Sequence, residues 1–330
     1  MKALLSRIPG PAAALTLDEI PEPWPGPGEV RIAVSACAVN YPDVLIIEDR
    51  YQVRPPRPFS PGAEVAGVVD AVGEGVAWPR IGDRVIGFPG WGGMAEKLVL
   101  AAGRCIAIPD AAPFDEAAAL MMTYGAALFG LKVRGGVEPG ERLLVLGAGG
   151  GVGLAAVEVG KALGAEVIAA ASSQAKAEAA SAAGAARAVV YPRGPFDGDG
   201  CKALSALFKD ACPDGVDVVF DPVGGDYAEA ALRSLRPEGR LLVVGFPAGI
   251  PKLPLNLVLL KRCQVVGVAW GAVAREQPGL FGQIAREVVE LHAQGRIRPR
   301  ITERLPLARA PEAIARLAAR EQVGKSVIVF

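Results

Sequence analysis

The chain has 330 residues, 51% of them hydrophobic, and its 35 Lys and Arg are matched by 35 Asp and Glu, for a formal net charge of +0. That length exceeds what one core usually organises, so two domains or one interrupted domain are expected. The balanced charge supplies no field to draw the protein onto nucleic acid or an anionic membrane, and neither is expected as a partner.

The opening MKALLSRIPGP has no signal-type apolar region. The longest uncharged stretches, Leu143 to Val157 and Ala117 to Leu131, contain glycines and fall short of the roughly 18 apolar residues a membrane helix needs. A soluble, cytoplasmic chain is expected. Cys37, Cys105, Cys201, Cys212 and Cys263 are odd in number and form no CxxC pair, which fits buried reduced thiols rather than a disulfide framework.

Up to about residue 120 the texture is short β-rich runs, EVRIAVSACAV, EVAGVVDAVG, GDRVIGF and AEKLVL, broken by Pro and Gly in PEPWPGPGE, RPPRPFSPG and GFPGWGG. From Arg142 strand and helix patterns alternate: RLLVLGA, VGLAAVEVGKALGA, EVIAAAS, QAKAEAASAAGA, RAVVY, CKALSALFKDA, VDVVFDPV, DYAEAALRSLR and GRLLVVGF. Such alternation predicts a parallel sheet with helices on both faces. After CQVVGVAW come a long helix pattern from Glu276 to Gly295, a short strand around ITERLPL, a helix over APEAIARLAAREQ and a closing strand GKSVIVF. This tail is able to complete the first domain and leave the αβ unit as an insertion.

The glycine segment GAGGGVG follows a buried-type strand and opens a helix, the context that makes such a string a phosphate site. Gly150 would let the backbone approach a pyrophosphate, Gly153 would let helix and strand pack closely, and the N–H groups at Gly151 and Val152 would face the anion. About 20 residues further on, where an NAD enzyme holds the ribose 2′-hydroxyl with Asp or Glu, the chain has Ser172, Ser173, Gln174 and Lys176. Lys176 alone reads as a solvated helix lysine; beside the missing acid it reads, with the two serines, as a donor to a 2′-phosphate. The residues favour NADPH. One His, His292, stands near a helix end, and no Cys, His and carboxylate cluster has metal-ligand spacing, so zinc chemistry and a Ser/His/Asp triad are not expected.

The stretches AVNYPD (38–43), PGAEVAGVVDAVGEGV (61–76), GDRV (82–85), EAAALMMTYGAA (116–127), GAGGGVGLAA (147–156), DPVGG (221–225), LLVVGF (241–246) and GKSVIV resemble, in order and nearly end to end, the zinc-independent quinone oxidoreductases of the medium-chain dehydrogenase/reductase superfamily, the zeta-crystallin-like branch. In the zinc-containing alcohol dehydrogenases of that superfamily a Cys stands where this chain has Asn40 and a His where it has Ala63; the structural-zinc cysteines are absent as well.

The resemblance implies an α/β fold in which a Rossmann doubly wound parallel sheet domain (122–270) is inserted into a GroES-like β-rich catalytic domain (1–121 and 271–330), with NADPH in the cleft between them. It implies that Asn40 and Thr123 face the nicotinamide and its ribose, Gly150 to Gly153 the pyrophosphate, Lys176 the 2′-phosphate and Tyr191 the adenosine phosphate. Gly245 and Phe246 would line the nicotinamide, while Arg320 and Gly324 close over the cofactor. Tyr51, after the motif of Asn40 and Asp43, would stand beside the acceptor, and these three form the expected catalytic set. The turn Ala148-Gly149-Gly150-Gly151 departs from the more usual A-A/S-G-G of the family. The expected activity is hydride transfer from NADPH to a quinone. Reduction of an activated C=C bond in an enone or enoyl thioester is the alternative, with Arg50, Arg54 and Arg57 available to an anionic thioester or simply solvated. A non-catalytic, crystallin-like NADPH-binding protein is the reading outside the enzyme class. A homodimer joined at the strand CQVVGVAW is expected, because an uncharged, Val-rich edge needs covering.

Overall fold

The computed structural model describes residues 1–330. The chain forms two compact units: Met1–Met122 with Val273–Ala293 and Pro299–Phe330, and Thr123–Ala272 with Gln294–Arg298. In chain order the strands are β1 (Lys2–Leu5), β2 (Thr16–Glu19), β3 (Glu29–Ala38), β4 (Val65–Val72), β5 (Arg84–Gly87), β6 (Lys97–Ala101), β7 (Cys105–Ala107), β8 (Arg142–Val145), β9 (Glu166–Ala171), β10 (Arg187–Val190), β11 (Val216–Asp221), β12 (Leu235–Val243), β13 (Gln264–Gly267), β14 (Ile301–Pro306) and β15 (Lys325–Val329).

In the first unit one sheet runs β14-β15-β3-β4-β5-β7, with β6 also paired to β3, and β1 and β2 form a separate antiparallel pair. The C-terminal β15 lies antiparallel to β3, Val327 opposite Ala38. Alternating apolar residues of β3 and β4, among them Val30, Ile32, Val34, Val65 and Val69, build a core that Ile314 of the helix Ala310–Ala318 joins.

The second unit is a six-stranded sheet in the order β10-β9-β8-β11-β12-β13 with every pairing parallel. This is the doubly wound Rossmann order, whose direction reverses between β8 and β11. Every residue of β11 is buried, as expected of a strand covered on both faces. The helices Gly151–Ala162, Gln174–Ala182, Gly198–Ala211 and Tyr227–Ser234 connect the strands.

Three local departures from the sequence pattern have simple causes. The stretch 263–270 is strand only to Gly267, and Trp270–Glu276 is helical. Leu255–Lys261 is a helix that the pattern hides, because LNLVLLK is apolar all round and shows no helical stripe. Within the β-rich region Tyr41–Ile47 is a helix, started by Pro42 in its first turn and Asp43 at its third position. One Asp43 oxygen accepts the Asn40 N–H at 2.8 Å and the other accepts the Gly62 N–H at 2.8 Å. Gly62 has a φ of 101°, and an added Cβ there would press on the Met94 amide and the Cys37 sulfur. Asp43 thus ties the helix start to a turn only glycine fits.

Burial, the larger influence, pushes the Asp43 carboxyl from 3.8 up to about 6, while the two backbone N–H groups pull it down. The folded chain therefore holds this proton more tightly than the unfolded chain, so the Asp43 contribution to stability falls as pH rises from about 4 to about 6, by on the order of 3 kcal/mol. Asp43→Asn should remove that dependence. In urea unfolding, wild type should lose ground relative to the variant between those pH values, and a difference that stays flat with pH contradicts the assignment.

Candidate functional site

In the second unit Gly150 to Gly153, Ser172 with Lys176, and Gly245 with Phe246 follow the carboxyl ends of β8, β9 and β12, the side on which ligands bind in open α/β sheets. After β8 the chain turns through Gly147 to Gly150, held by the Ala148 N–H on Ala170 O at 3.0 Å and the Gly150 N–H on Gly147 O at 3.0 Å. Gly150 precedes the helix Gly151–Ala162 and supplies no side-chain cap, so the N–H groups of Gly151, Val152 and Gly153 are available to an anion. A Cβ added at Gly150 would meet only Gly147 O, at 3.6 Å. That face of the turn is open. At Gly153 an added Cβ would collide with the backbone of Gly147 and Ala148, which is why the helix start can press against the turn.

After β9, Ser172 is half-buried and Ser173 caps the helix Gln174–Ala182, its hydroxyl accepting the Lys176 N–H at 3.4 Å. No acidic residue stands between Ser172 and Ala177. After β11, Asp221 accepts the N–H groups of Val223 and Gly224, each at 2.8 Å, and burial pushes its carboxyl up to about 6. The Ala248 N–H reaches Val223 O at 2.9 Å and the Gly225 N–H reaches Gly249 O at 2.7 Å, so the loops after β11 and β12 brace each other. Gly245 and Phe246 belong to the second of these loops, and Phe246 is 45% exposed. Thr123 is buried in the wide helical turn Met121–Gly125.

Tyr191 is buried, and its ring packs edge-on against Phe208 and at a tilt against Tyr227, with centroids 6.2 and 5.0 Å away.

The first unit holds a buried polar network that no motif announced. Asn40 donates its two amide hydrogens to Glu64 Oε1 at 2.9 Å and Ala38 O at 3.2 Å. Its Oδ1 accepts from Lys325 Nζ at 2.6 Å, and Lys325 also donates to Val39 O at 2.8 Å. Glu64 is fully buried, takes the Met122 N–H at 2.9 Å and lies 3.7 Å from the Lys325 ammonium. Burial drives both ionisable groups toward neutrality, Glu64 upward and Lys325 downward, and their mutual attraction opposes it. Asp43, expected in the catalytic set, is 1% exposed with both oxygens engaged by backbone N–H groups, so it positions the segment. Asn40, 4% exposed, is likewise held from three sides.

Tyr51 is half-buried and packs on the core of this unit. Burial raises its hydroxyl, Asp43 raises it further and Arg275 opposes both. Arg320 is exposed with a φ of 59°, just past the helix Ala310–Ala318, and Gly324 turns the chain into β15 beside Arg300 O. Arg57 bonds Asp49 at 2.8 Å and Ile47 O at 3.0 Å, and Arg50 pairs with Glu48 at 3.0 Å. His292 meets Glu116 at 2.8 Å in the last turn of the helix Pro278–Ala293. No group of three or more His, Cys, Asp and Glu side chains is placed to hold a metal ion.

Lys325→Met should leave Glu64 buried without its cation and cost about 3–5 kcal/mol in chemical denaturation. Lys325→Met with Glu64→Gln should recover most of the loss, since both charges are then gone. A single variant within about 1 kcal/mol of wild type would show that the pair does not hold the segment.

Comparison with known proteins agrees with this architecture. Residues 26–110 match the alcohol dehydrogenase GroES-like domain and residues 151–286 match the zinc-binding dehydrogenase family. The bovine (Bos taurus) quinone oxidoreductase-like protein 2 is 38% identical over 316 residues, covering 95% of this chain and 88% of that protein. The Escherichia coli quinone oxidoreductase complexed with NADPH superposes with a TM-score of 0.90 at 26% identity, covering all of both chains. The quinone oxidoreductase of Pseudomonas syringae pv. Tomato gives a TM-score of 0.88 at 30% identity, covering 100% of this chain and 99% of that one. With a GroES-like sheet completed by its C-terminal strands and a six-stranded Rossmann sheet, the chain belongs to the quinone oxidoreductase-like members of the medium-chain dehydrogenase/reductase superfamily.

Proposed function

We propose that the protein transfers a hydride from NADPH to a quinone-type acceptor without a metal ion. The observation that carries the cofactor choice is the end of β9: Ser172, the capping Ser173 and Lys176 stand where an acid would hold a 2′-hydroxyl, next to a glycine turn with an open face. A carboxylate there would repel a 2′-phosphate, whereas hydroxyls and an ammonium donate to it. Quinone as acceptor is supported by what the relatives are called, and NADPH by the cofactor of the Escherichia coli complex. Asn and Ala at positions 40 and 63, with a single His in the chain, do not fit a catalytic zinc.

Bound NADPH supplies the hydride. The chain's own residues supply placement: the Gly150 to Gly153 backbone takes the pyrophosphate, Lys176 and Ser172 the 2′-phosphate, and Thr123, Gly245 and Phe246 the nicotinamide end. Asn40 has one Oδ1 lone pair left for the nicotinamide or its ribose; its other bonds fix its orientation. Arg320 and Gly324 lie in the tail segment assigned to cover the cofactor. Tyr51 or water delivers the proton to the reduced acceptor. Arg57 is engaged by Asp49 and Ile47, which weakens the case for an anionic thioester at that loop.

NADPH oxidation should rise on adding a panel of quinones and persist in chelator, and Lys176→Ala should weaken NADPH about 10- to 100-fold while changing NADH by less than about threefold. Equal use of NADH by wild type would overturn the cofactor reading. Absence of turnover with quinones, against turnover with enones, would move the acceptor to activated C=C bonds. No turnover with either would favour a crystallin-like binding role. Tyr51→Phe should lower turnover with quinones and leave NADPH affinity within about twofold; the reverse pattern would put Tyr51 on the cofactor.

We also propose a homodimer joined along β13, an edge strand of the parallel sheet. Exposed Ile250, Leu255, Leu259, Leu260 and Val265 cluster in sequence around that edge, with Leu259 at 76% exposure. Light scattering at micromolar concentration should give a dimer, and Leu259→Asp with Val265→Arg should give a monomer. A wild-type monomer would remove the proposal.

A further inference from the structure

The loop after β5 presents an aromatic ring that the core does not absorb. Trp91 stands between Gly90 and Gly92, whose φ values of 92° and 102° lie in the left-handed region that favours glycine. A Cβ added at Gly90 would meet nothing within 4 Å, so backbone conformation and not crowding calls for glycine there. The loop is tied down along its length. The Gly90 N–H bonds Ala63 O at 3.1 Å, Gly92 bonds Ser60 O at 2.7 Å, Gly93 bonds Gly62 O at 3.0 Å and Met94 bonds Pro61 O at 2.9 Å. At its base the Phe88 N–H bonds Arg104 O at 3.1 Å, Arg104 donates to Pro89 O at 3.0 Å, and the Phe88 ring stacks on Phe281.

Trp91 is nevertheless 38% exposed, and no aromatic ring or cation lies on it. Trp24, more exposed, has the Arg31 guanidinium over its ring at 4.6 Å. A lone exposed tryptophan on a loose loop would need no explanation. This one is held rigidly next to the buried polar network. Gly62, in the segment that holds the loop, donates to Asp43, and the same segment runs into Glu64, which accepts from Asn40. The charge of Asp43 in turn reaches the Tyr51 hydroxyl.

We infer that Trp91 is a specificity-determining residue for the acceptor: its indole face is a fixed platform on which a flat, fused-ring quinone stacks. The inference rests on the quinone reading given above and narrows it to extended ring systems. A quinone ring is electron-poor and indole is electron-rich, so their faces attract, and a fused ring covers more apolar area than a single ring does. Because the loop is already ordered, stacking costs little conformational freedom. Trp91 carries no proton to the acceptor, so it acts on acceptor affinity and leaves the chemical step alone.

The test is steady-state reduction of 1,4-naphthoquinone and 1,4-benzoquinone at saturating NADPH by wild type, Trp91→Phe and Trp91→Ala. Trp91→Ala should raise KM for naphthoquinone about tenfold and KM for benzoquinone less than about threefold, with kcat and NADPH affinity each within about twofold of wild type. Trp91→Phe keeps a flat face and should stay within about threefold of wild type for both quinones. Equal increases in KM for the two quinones, or none, overturn the inference and leave the quinone reading standing. A loss of NADPH affinity in place of the KM change puts Trp91 on the cofactor and also overturns it. If wild type reduces neither quinone, the quinone reading falls and the inference falls with it. Should Trp91→Ala not fold, tryptophan fluorescence with NADP+ bound decides: naphthoquinone should quench wild type and quench Trp91→Phe by a clearly smaller fraction, and equal fractions overturn the inference.

Discussion

The arrangement of the first unit depends on one buried ammonium. Lys325 enters the sheet at the start of the last strand and meets Val39 O and the Asn40 side chain, with the Glu64 carboxylate beside it. A lone charge in such a place costs several kcal/mol. Paired with Glu64 and bonded to two oxygens it instead joins three segments: the end of β3, the turn before β4 and the C-terminal strand. Because Asn40 is bonded on three sides and Asp43 accepts from both the Asn40 and the Gly62 N–H, residues 38–43 have little freedom. That segment is thereby held by polar bonds in a setting where water cannot compete for them.

The second unit solves a different problem with backbone alone. Its glycine turn combines an open position at Gly150 with tight positions at Gly149 and Gly153. The open one leaves space on the side where N–H groups are available, and the tight ones bring two helix starts against the turn. Electrostatics then distinguish one dinucleotide from another with few residues. In the function proposed here, omitting an acid after β9 removes repulsion, and a lysine in the first turn of the next helix adds attraction. The metal-free chemistry proposed here follows from the same economy. A quinone accepts a hydride without a Lewis acid because its ring stabilises the developing oxyanion, so orientation and one proton donor suffice.

Much of this was legible in the amino-acid order because it is written in local patterns. Strand and helix periods, the glycine string between the first strand and helix of the αβ region, and the missing acid after EVIAAA are all short-range, and the parallel sheet follows from their alternation. Where the local signal was uniform it failed: LNLVLLK is apolar on every side and declares no helix.

What tertiary structure alone decided is which polar residues are engaged inside the protein. Lys325 and Asn40 are 285 positions apart, and no periodicity predicts that they bond, or that Glu64 beside Ala63 is the counter-charge. That Asp43 caps a helix start and Tyr191 packs in the core is likewise a matter of burial, a property of the assembled fold and not of the motif. Composition and local order determine which elements form and which chemistries are possible; packing, by bringing distant groups within bonding distance and excluding water from them, determines which residues remain available to carry those chemistries out.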